Sequence, residues 1–158
     1  MPLKTIILAI WAAVHPAAPR LADAPRIADA ITTVVSQETE LPVFGTREDD
    51  AAVMAYYALR ESWLRNGLIG DGGRSFGVWQ EPPATGRADL LTQARAWFRL
   101  LREGARICPG SPAAPLSGGC VAARKIADRR VTRARELLAI AMRALVPASP
   151  ELQPATSQ

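Results

Sequence analysis

TREDDAAVMAYYALRES, residues 46–62, followed after a short gap by GDGGRSFGVWQ, residues 70–80, is the stretch that decides how this chain folds. Thr46 with Asp49 three residues later has the form of a capping box, so a helix is expected to begin there. It should run to about Arg65 before Asn66-Gly67 breaks it. Met54, Tyr57, Ala58 and Glu61 recur at three- and four-residue steps, which puts Glu61 on or beside the buried stripe. A carboxyl group there needs a reason, and partial burial is one way a protein keeps a proton donor near neutral pH.

The glycine-rich segment after this helix is polar and irregular. A phosphate-binding loop would need Gly-Lys followed by Ser or Thr, and both it and a dinucleotide fingerprint would follow a strand; these features are missing from the sequence. What the turn offers is backbone that a ligand can approach closely, with Asp71, Ser75 and Gln80 as hydrogen-bonding groups. That suits a ligand with many hydroxyls. Trp63 and Trp79 are candidate faces for sugar rings, or simply core residues, the commoner fate of a Trp in a small domain.

Outward from this centre the pattern is helical. Asp23-Ala24-Pro25 opens a helix with Ile27, Ala30, Ile31 and Val34 on one face, ending near Ser36. Glu81-Pro82-Pro83 forces an extended exit from the turn, and Leu90, Ala94, Trp97, Phe98 and Leu101 mark another amphipathic helix ending at Gly104. A last helix is expected from Val121 to Leu145, and no strand pair or internal repeat stands out. With 158 residues, 49% of them hydrophobic, the chain suffices for one domain with a real core and is short for two. The fold class is therefore mainly α, with an irregular glycine-rich turn, and the expected domain spans residues 15–146. Residues 147–158 read as a disordered tail because Pro, Ser and Gln dominate them. Residues 1–14 carry Lys4 and an apolar run from Ile6 to Val14, too short to cross a bilayer. This run is either a first helix packed into the domain or a weak secretory signal, whose cleavage after Ala22-Asp23-Ala24 would be disfavoured by Pro25.

Arg60-Glu61-Ser62, then Gly70-Asp71-x-Gly, then Ser75-Phe76-Gly77-Val78-Trp79-Gln80 resembles the signature shared by soluble lytic transglycosylases and goose-type lysozymes. In that signature a Glu-Ser pair is followed by a glycine-rich turn and Gly-aliphatic-Met-Gln. The resemblance covers about twenty residues directly and implies a lysozyme-like helical domain acting on peptidoglycan glycan strands without a cofactor. It implies that Glu61 protonates the oxygen bridging N-acetylmuramic acid and N-acetylglucosamine. In a lytic transglycosylase the same glutamate then takes a proton from the muramic acid 6-hydroxyl, closing a 1,6-anhydro ring. In a goose-type lysozyme a second acid positions water, and Asp71 matches one such aspartate; a turn-forming Asp-Gly is the alternative reading of Asp71. The goose-type pattern has a second aspartate two residues after the Gln, where this chain has Pro82 with Glu81 adjacent, so the transglycosylase is preferred. Ser62, Ser75, Gln80, Trp79 and Tyr57 are the expected substrate contacts. Trp79 stands where the family has methionine, and the family's Tyr-Asn-x-Gly motif has only an echo in Leu116-Ser117-Gly118-Gly119.

The net charge of +4 draws polyanions, and the last helix carries Arg124, Lys125, Arg129, Arg130, Arg133 and Arg135 among the acids Asp128 and Glu136. A solvated face is the usual meaning of such a run. A nucleic-acid-binding or non-catalytic glycan-binding protein is the competing class, although no nucleic-acid partner is expected. Cys108 and Cys120 flank a Pro-, Gly- and Ser-rich stretch; a disulfide there would remove about 3 kcal/mol of unfolded-chain entropy and persist only in an oxidising compartment. Two separate buried thiols are the alternative to the favoured bridge. With no CxxC pair and His15 the only histidine, a tetrahedral metal site lacks ligands. The whole reads as a monomer without stable membrane insertion, acting at the cell wall from the periplasm or outside the cell, as a phage lysin or a bacterial wall-remodelling enzyme.

Overall fold

Arg47–Ser62 forms the helix at the centre of the molecule (α3), and its alanines explain why. Ala51, Ala52, Ala55 and Ala58 are buried together with Val53, Met54, Tyr57 and Leu59, so most of its circumference is covered. Small side chains let the covering elements approach closely. The computed structural model describes residues 1–146, and the tail expected from Pro147 onward lies outside them.

Helices α1 (Leu3–Val14) and α6 (Arg124–Leu145) pack on α3 and on each other, while α2 (Ala24–Gln37) packs on α1, α3 and α5 (Leu90–Ile107). Between α3 and α5 lie two short strands, β1 (Ile69–Gly70) and β2 (Ser75–Phe76), and the single-turn helix α4 (Pro83–Gly86). The chain is thus mainly α. The apolar run near the N-terminus is a core helix: Ile6, Ile7, Ile10 and Trp11 are buried, and the Trp11 indole donates to the Ala55 carbonyl at 2.9 Å. Among the described residues no helix is long and apolar enough to cross a membrane. Ile27, Ala30, Ile31 and Val34 of α2 and Leu90, Ala94, Trp97, Phe98 and Leu101 of α5 are buried, as their periodicity predicts.

Thr46 caps α3, its hydroxyl accepting from the Asp49 N–H at 3.0 Å and donating to the Asp49 carboxylate at 2.8 Å. Asp50, 1% exposed, accepts from the backbone N–H groups of Val43 and Phe44 and so ties the preceding loop to the helix. Burial pushes its carboxyl above the usual range against those two bonds.

Four expectations need correction. Helix α3 ends at Ser62, three residues before Arg65, because Trp63 and Leu64 turn left-handed with φ of 54° and 58°. Burial of Leu64, 1% exposed, accompanies the turn, and the two N–H groups return to the carbonyls of Leu59 and Ala58. Helix α5 runs through Gly104 to Ile107. Gly104 is there for space: a Cβ would overlap the Pro112 carbonyl of the loop lying across it. Helix α6 starts at Arg124, because residues 120–123 are held in a turn by the Cys108–Cys120 disulfide and the Ala123 N–H bond to Gly119. Finally, Ile69–Gly70 and Ser75–Phe76 pair antiparallel, Ile69 with Phe76 and Gly70 with Ser75. Two residues per strand are too few to write an alternating pattern into the sequence.

The disulfide brings the Cα atoms of Cys108 and Cys120 to 5.5 Å and fastens the Pro- and Gly-rich loop between α5 and α6. A single 3₁₀ turn, Pro115–Ser117, is its one regular piece.

Candidate active site

Helix α3 delivers Glu61 in its last turn, with the side chain 28% exposed. Its Oε1 accepts from Nη1 of Arg130 at 2.6 Å, and Oε2 has no hydrogen-bond partner among the described residues. Arg130 arrives from α6, and its guanidinium also lies 5.1 Å from the centre of the Tyr57 ring. Tyr57, one helical turn before Glu61, is 2% exposed. Burial pushes its phenol above the usual range, with the facing Ser117 hydroxyl and Arg130 guanidinium opposing the shift. Neither the Tyr57 nor the Ser117 hydroxyl closes a hydrogen bond among the described residues. Glu61, Arg130, Tyr57 and Ser117 therefore form one cluster, drawn from α3, α6 and the disulfide-fastened loop. Ser62 stands apart from it: buried, it donates to the Ala58 carbonyl at 3.0 Å.

Asp71, Ser75 and Gln80 form a second network that shapes the turn. Ser75 Oγ donates to Asp71 Oδ2 at 2.8 Å and lies 3.0 Å from Gln80 Oε1, so one proton serves two acceptors. Gln80 Nε2 donates to the carbonyls of Gly77 at 2.9 Å and Leu68 at 3.3 Å. Asp71 and Gln80 both adopt positive φ, 50° and 53°, which Asp tolerates better than most residues. A Cβ on Gly70 would overlap the Gln80 carboxamide oxygen. Gly70→Ala should displace that carboxamide, open the network and cost about 1–3 kcal/mol, read as a lowered urea midpoint. An unchanged midpoint would show that the network does not hold the turn.

The far side of the turn is anchored to the core. The Trp79 indole donates to the Met54 carbonyl at 3.1 Å, and its ring stacks on Trp97 with centroids 6.3 Å apart. Trp97 in turn meets Tyr57 at 5.2 Å, so an aromatic row links the turn to the Glu61 cluster. Trp79 is 3% exposed, whereas Trp63 is 43% exposed with an edge-on contact to His15.

Three side chains with parts in this geometry were not singled out by sequence reasoning as site residues. Arg130 belonged to a basic run and nothing near it marks it as the partner of a glutamate 69 positions away. Gln93, 1% exposed, accepts from the Val78 N–H at 3.0 Å and donates to Asn66 and Ala88, clamping both ends of the turn; a lone polar residue on the apolar face of α5 was the available signal. Glu81 is 3% exposed, its backbone pairing with Phe76, and neither carboxylate oxygen has a hydrogen-bond partner among the described residues. Burial pushes its carboxyl from 4.5 to about 7, with the nearby Thr85 hydroxyl opposing. Comparisons with protein-family models, with curated proteins and with solved structures returned no match.

Proposed function

We propose that the chain is a peptidoglycan lytic transglycosylase with a lysozyme-like helical domain, breaking the β-1,4 bond between N-acetylmuramic acid and N-acetylglucosamine. The observation that carries this is the Glu61 carboxyl: a partly exposed acid at the end of a buried helix, with one oxygen on Arg130 and the other without a hydrogen-bond partner among the described residues. In the first step Glu61, acting in its protonated form with the Arg130 ion pair open, gives that proton to the bridging oxygen as the sugar ring becomes oxocarbenium-like. The carboxylate left behind is stabilised by the adjacent Arg130 guanidinium. In the second step it recovers a proton from the muramic acid 6-hydroxyl, whose oxygen closes on the anomeric carbon. Proton and bond bookkeeping then return the enzyme to its starting state without water.

One carboxyl group suffices for this route. The hydrolytic alternative would use Asp71, whose Oδ2 is already engaged by Ser75 within a separate network, so the transglycosylase is preferred. The Cys108–Cys120 disulfide fits a place of action in the periplasm or outside the cell. Purified sacculi should release soluble muropeptides on incubation with the protein. Duplex DNA retained in a salt-dependent manner, with no muropeptide released, would replace the enzyme with a polyanion-binding protein.

A further inference from the structure

Helices α2 and α5 flank a surface groove of about 340 Å³, lined among others by Arg95, Arg99, Arg102, Gln37, Val34 and Phe98. That volume is at the lower end for small-ligand sites. The three arginines fall at steps of four and three residues, which puts them on one face of α5. Their surroundings differ. Arg102 has Nε on Glu38 at 2.9 Å and Nη1 on Glu40 and on the Leu41 carbonyl, each at 3.1 Å, so its charge is answered by acids. Farther along the helix, Arg106 is answered by Glu103 at 3.1 Å. Arg95 and Arg99 have no carboxylate partner among the described residues: Arg95 donates from Nη2 to the Gln37 amide oxygen at 3.0 Å, and Arg99 forms no side-chain hydrogen bond there. Glu38, the one acid on the groove wall, is already bonded to Arg102. Both Arg95 and Arg99 are exposed, so a ligand reaches them directly from solvent.

We propose that this groove is a binding site for an oxyanion, a carboxylate or phosphate group bridged by Arg95 and Arg99. One helical turn separates their Cα atoms by about 6 Å, which lets two guanidinium groups close on one small group. Each guanidinium carries five N–H donors in a planar fork that matches paired oxygens of either anion. Arg95 spends one of its donors on Gln37, and that bond restrains its direction. A restrained side chain loses less freedom when a ligand arrives. Like charges one turn apart also repel each other, and the buried Val34 and Phe98 on the same wall make screening weaker than in bulk water. A bridging anion reverses the sign of that interaction. A neutral ligand leaves both charges unanswered, a cation is repelled, and a halide lacks the two-oxygen edge that a guanidinium fork fits.

The test reads binding alone and is independent of the peptidoglycan reading. The arginine Nε–Hε resonances of the full chain, labelled with nitrogen-15, are followed while sodium phosphate or sodium acetate replaces sodium chloride at constant ionic strength, which holds screening fixed. Arg95 and Arg99 should shift together and saturate in the millimolar range, while Arg106 on the same helix and Arg129 on α6 should not follow that curve. Saturation by phosphate alone assigns a phosphate site, saturation by acetate alone a carboxylate site, and saturation by both an oxyanion site without shape selection. Arg99→Gln should weaken the response of Arg95 about 10-fold, the worth of one charge-assisted contact. Arg129→Gln should leave it unchanged. Shifts that never saturate, that are shared equally by Arg106 and Arg129, or that keep full affinity in Arg99→Gln overturn the assignment.

Discussion

Glu61→Gln is expected to lower muropeptide release from purified sacculi by about two to four orders of magnitude, the usual worth of a positioned general acid and base. The amide keeps the shape of the side chain but has no proton to give to the bridging oxygen and no basic oxygen to take one back. Folding should be little affected, because the side chain is 28% exposed and the ion pair with Arg130 is a partly solvated one. Such pairs are worth up to about 1 kcal/mol. Thermal midpoints within a few degrees of the wild type would therefore accompany the loss of release. Binding to sacculi should persist, since neither the turn network nor the aromatic row depends on Glu61. Release by Glu61→Gln within threefold of the wild type would remove Glu61 from the chemistry.

Stability should fall as pH rises through 7, and Glu81 should be the main cause. Its carboxyl is pushed from 4.5 to about 7 by burial, so between these values the folded chain holds a proton that the unfolded chain has released. The contribution is fully present below pH 4.5 and is lost as pH rises through 7. At 1.36 kcal/mol per pKa unit the loss is about 3 kcal/mol by pH 8. Glu81→Gln removes the titration while keeping the volume, so the variant should match the wild type near pH 4.5. At pH 8 its melting point should exceed that of the wild type by about 6–12 °C for a chain of this size. Asp50 shifts in the same direction and Glu38 in the opposite one, and both remain in the variant, so the difference between the two proteins isolates Glu81. Parallel melting-point curves from pH 4.5 to 8 would contradict this account of Glu81.

What was legible in the sequence follows from the range of the interactions involved. The Thr46 cap, the faces of α2 and α5 and the apolar first helix are local patterns, and each is present in the structure. Glu61 stood out for the same reason, as a charge spaced on the stripe of its own helix. The glycines were legible as a turn, but their separate duties were not: Gly70 makes room for Gln80, and Gly104 makes room for Pro112. Both duties depend on how the chain folds back on itself within the next ten residues, which spacing alone does not show. Gly104 reads as a helix stop in the sequence, whereas in the fold it permits one helix to continue beneath a loop. Helix α3 ends before the Asn-Gly signal is reached, in a left-handed turn accompanied by the burial of Leu64.

The site divides along the same line. Asp71, Ser75 and Gln80 lie close in sequence and close in space, although the structure has them bonding one another. Arg130 could not be read, because a guanidinium in a basic run carries no mark of the single carboxylate it turns inward to meet. Its neighbours make the point: Arg135 reaches Asp49 and the Phe44 carbonyl, and Arg124 and Arg133 pair along their own helix. Glu81 was visible only as a residue next to a motif. Its burial and its backbone pairing with Phe76 are facts of the folded chain.

In the proposed mechanism Glu61 breaks the glycan by itself and an internal hydroxyl, in place of water, captures the sugar. Mass spectrometry of the muropeptides released from purified sacculi tests it most directly. The expected products carry 1,6-anhydro-muramyl ends, each about 18 Da lighter than the hydrated product because no water has been added, and they disappear with Glu61→Gln. Reducing muramyl ends in their place would contradict the one-carboxylate mechanism and turn attention to Asp71.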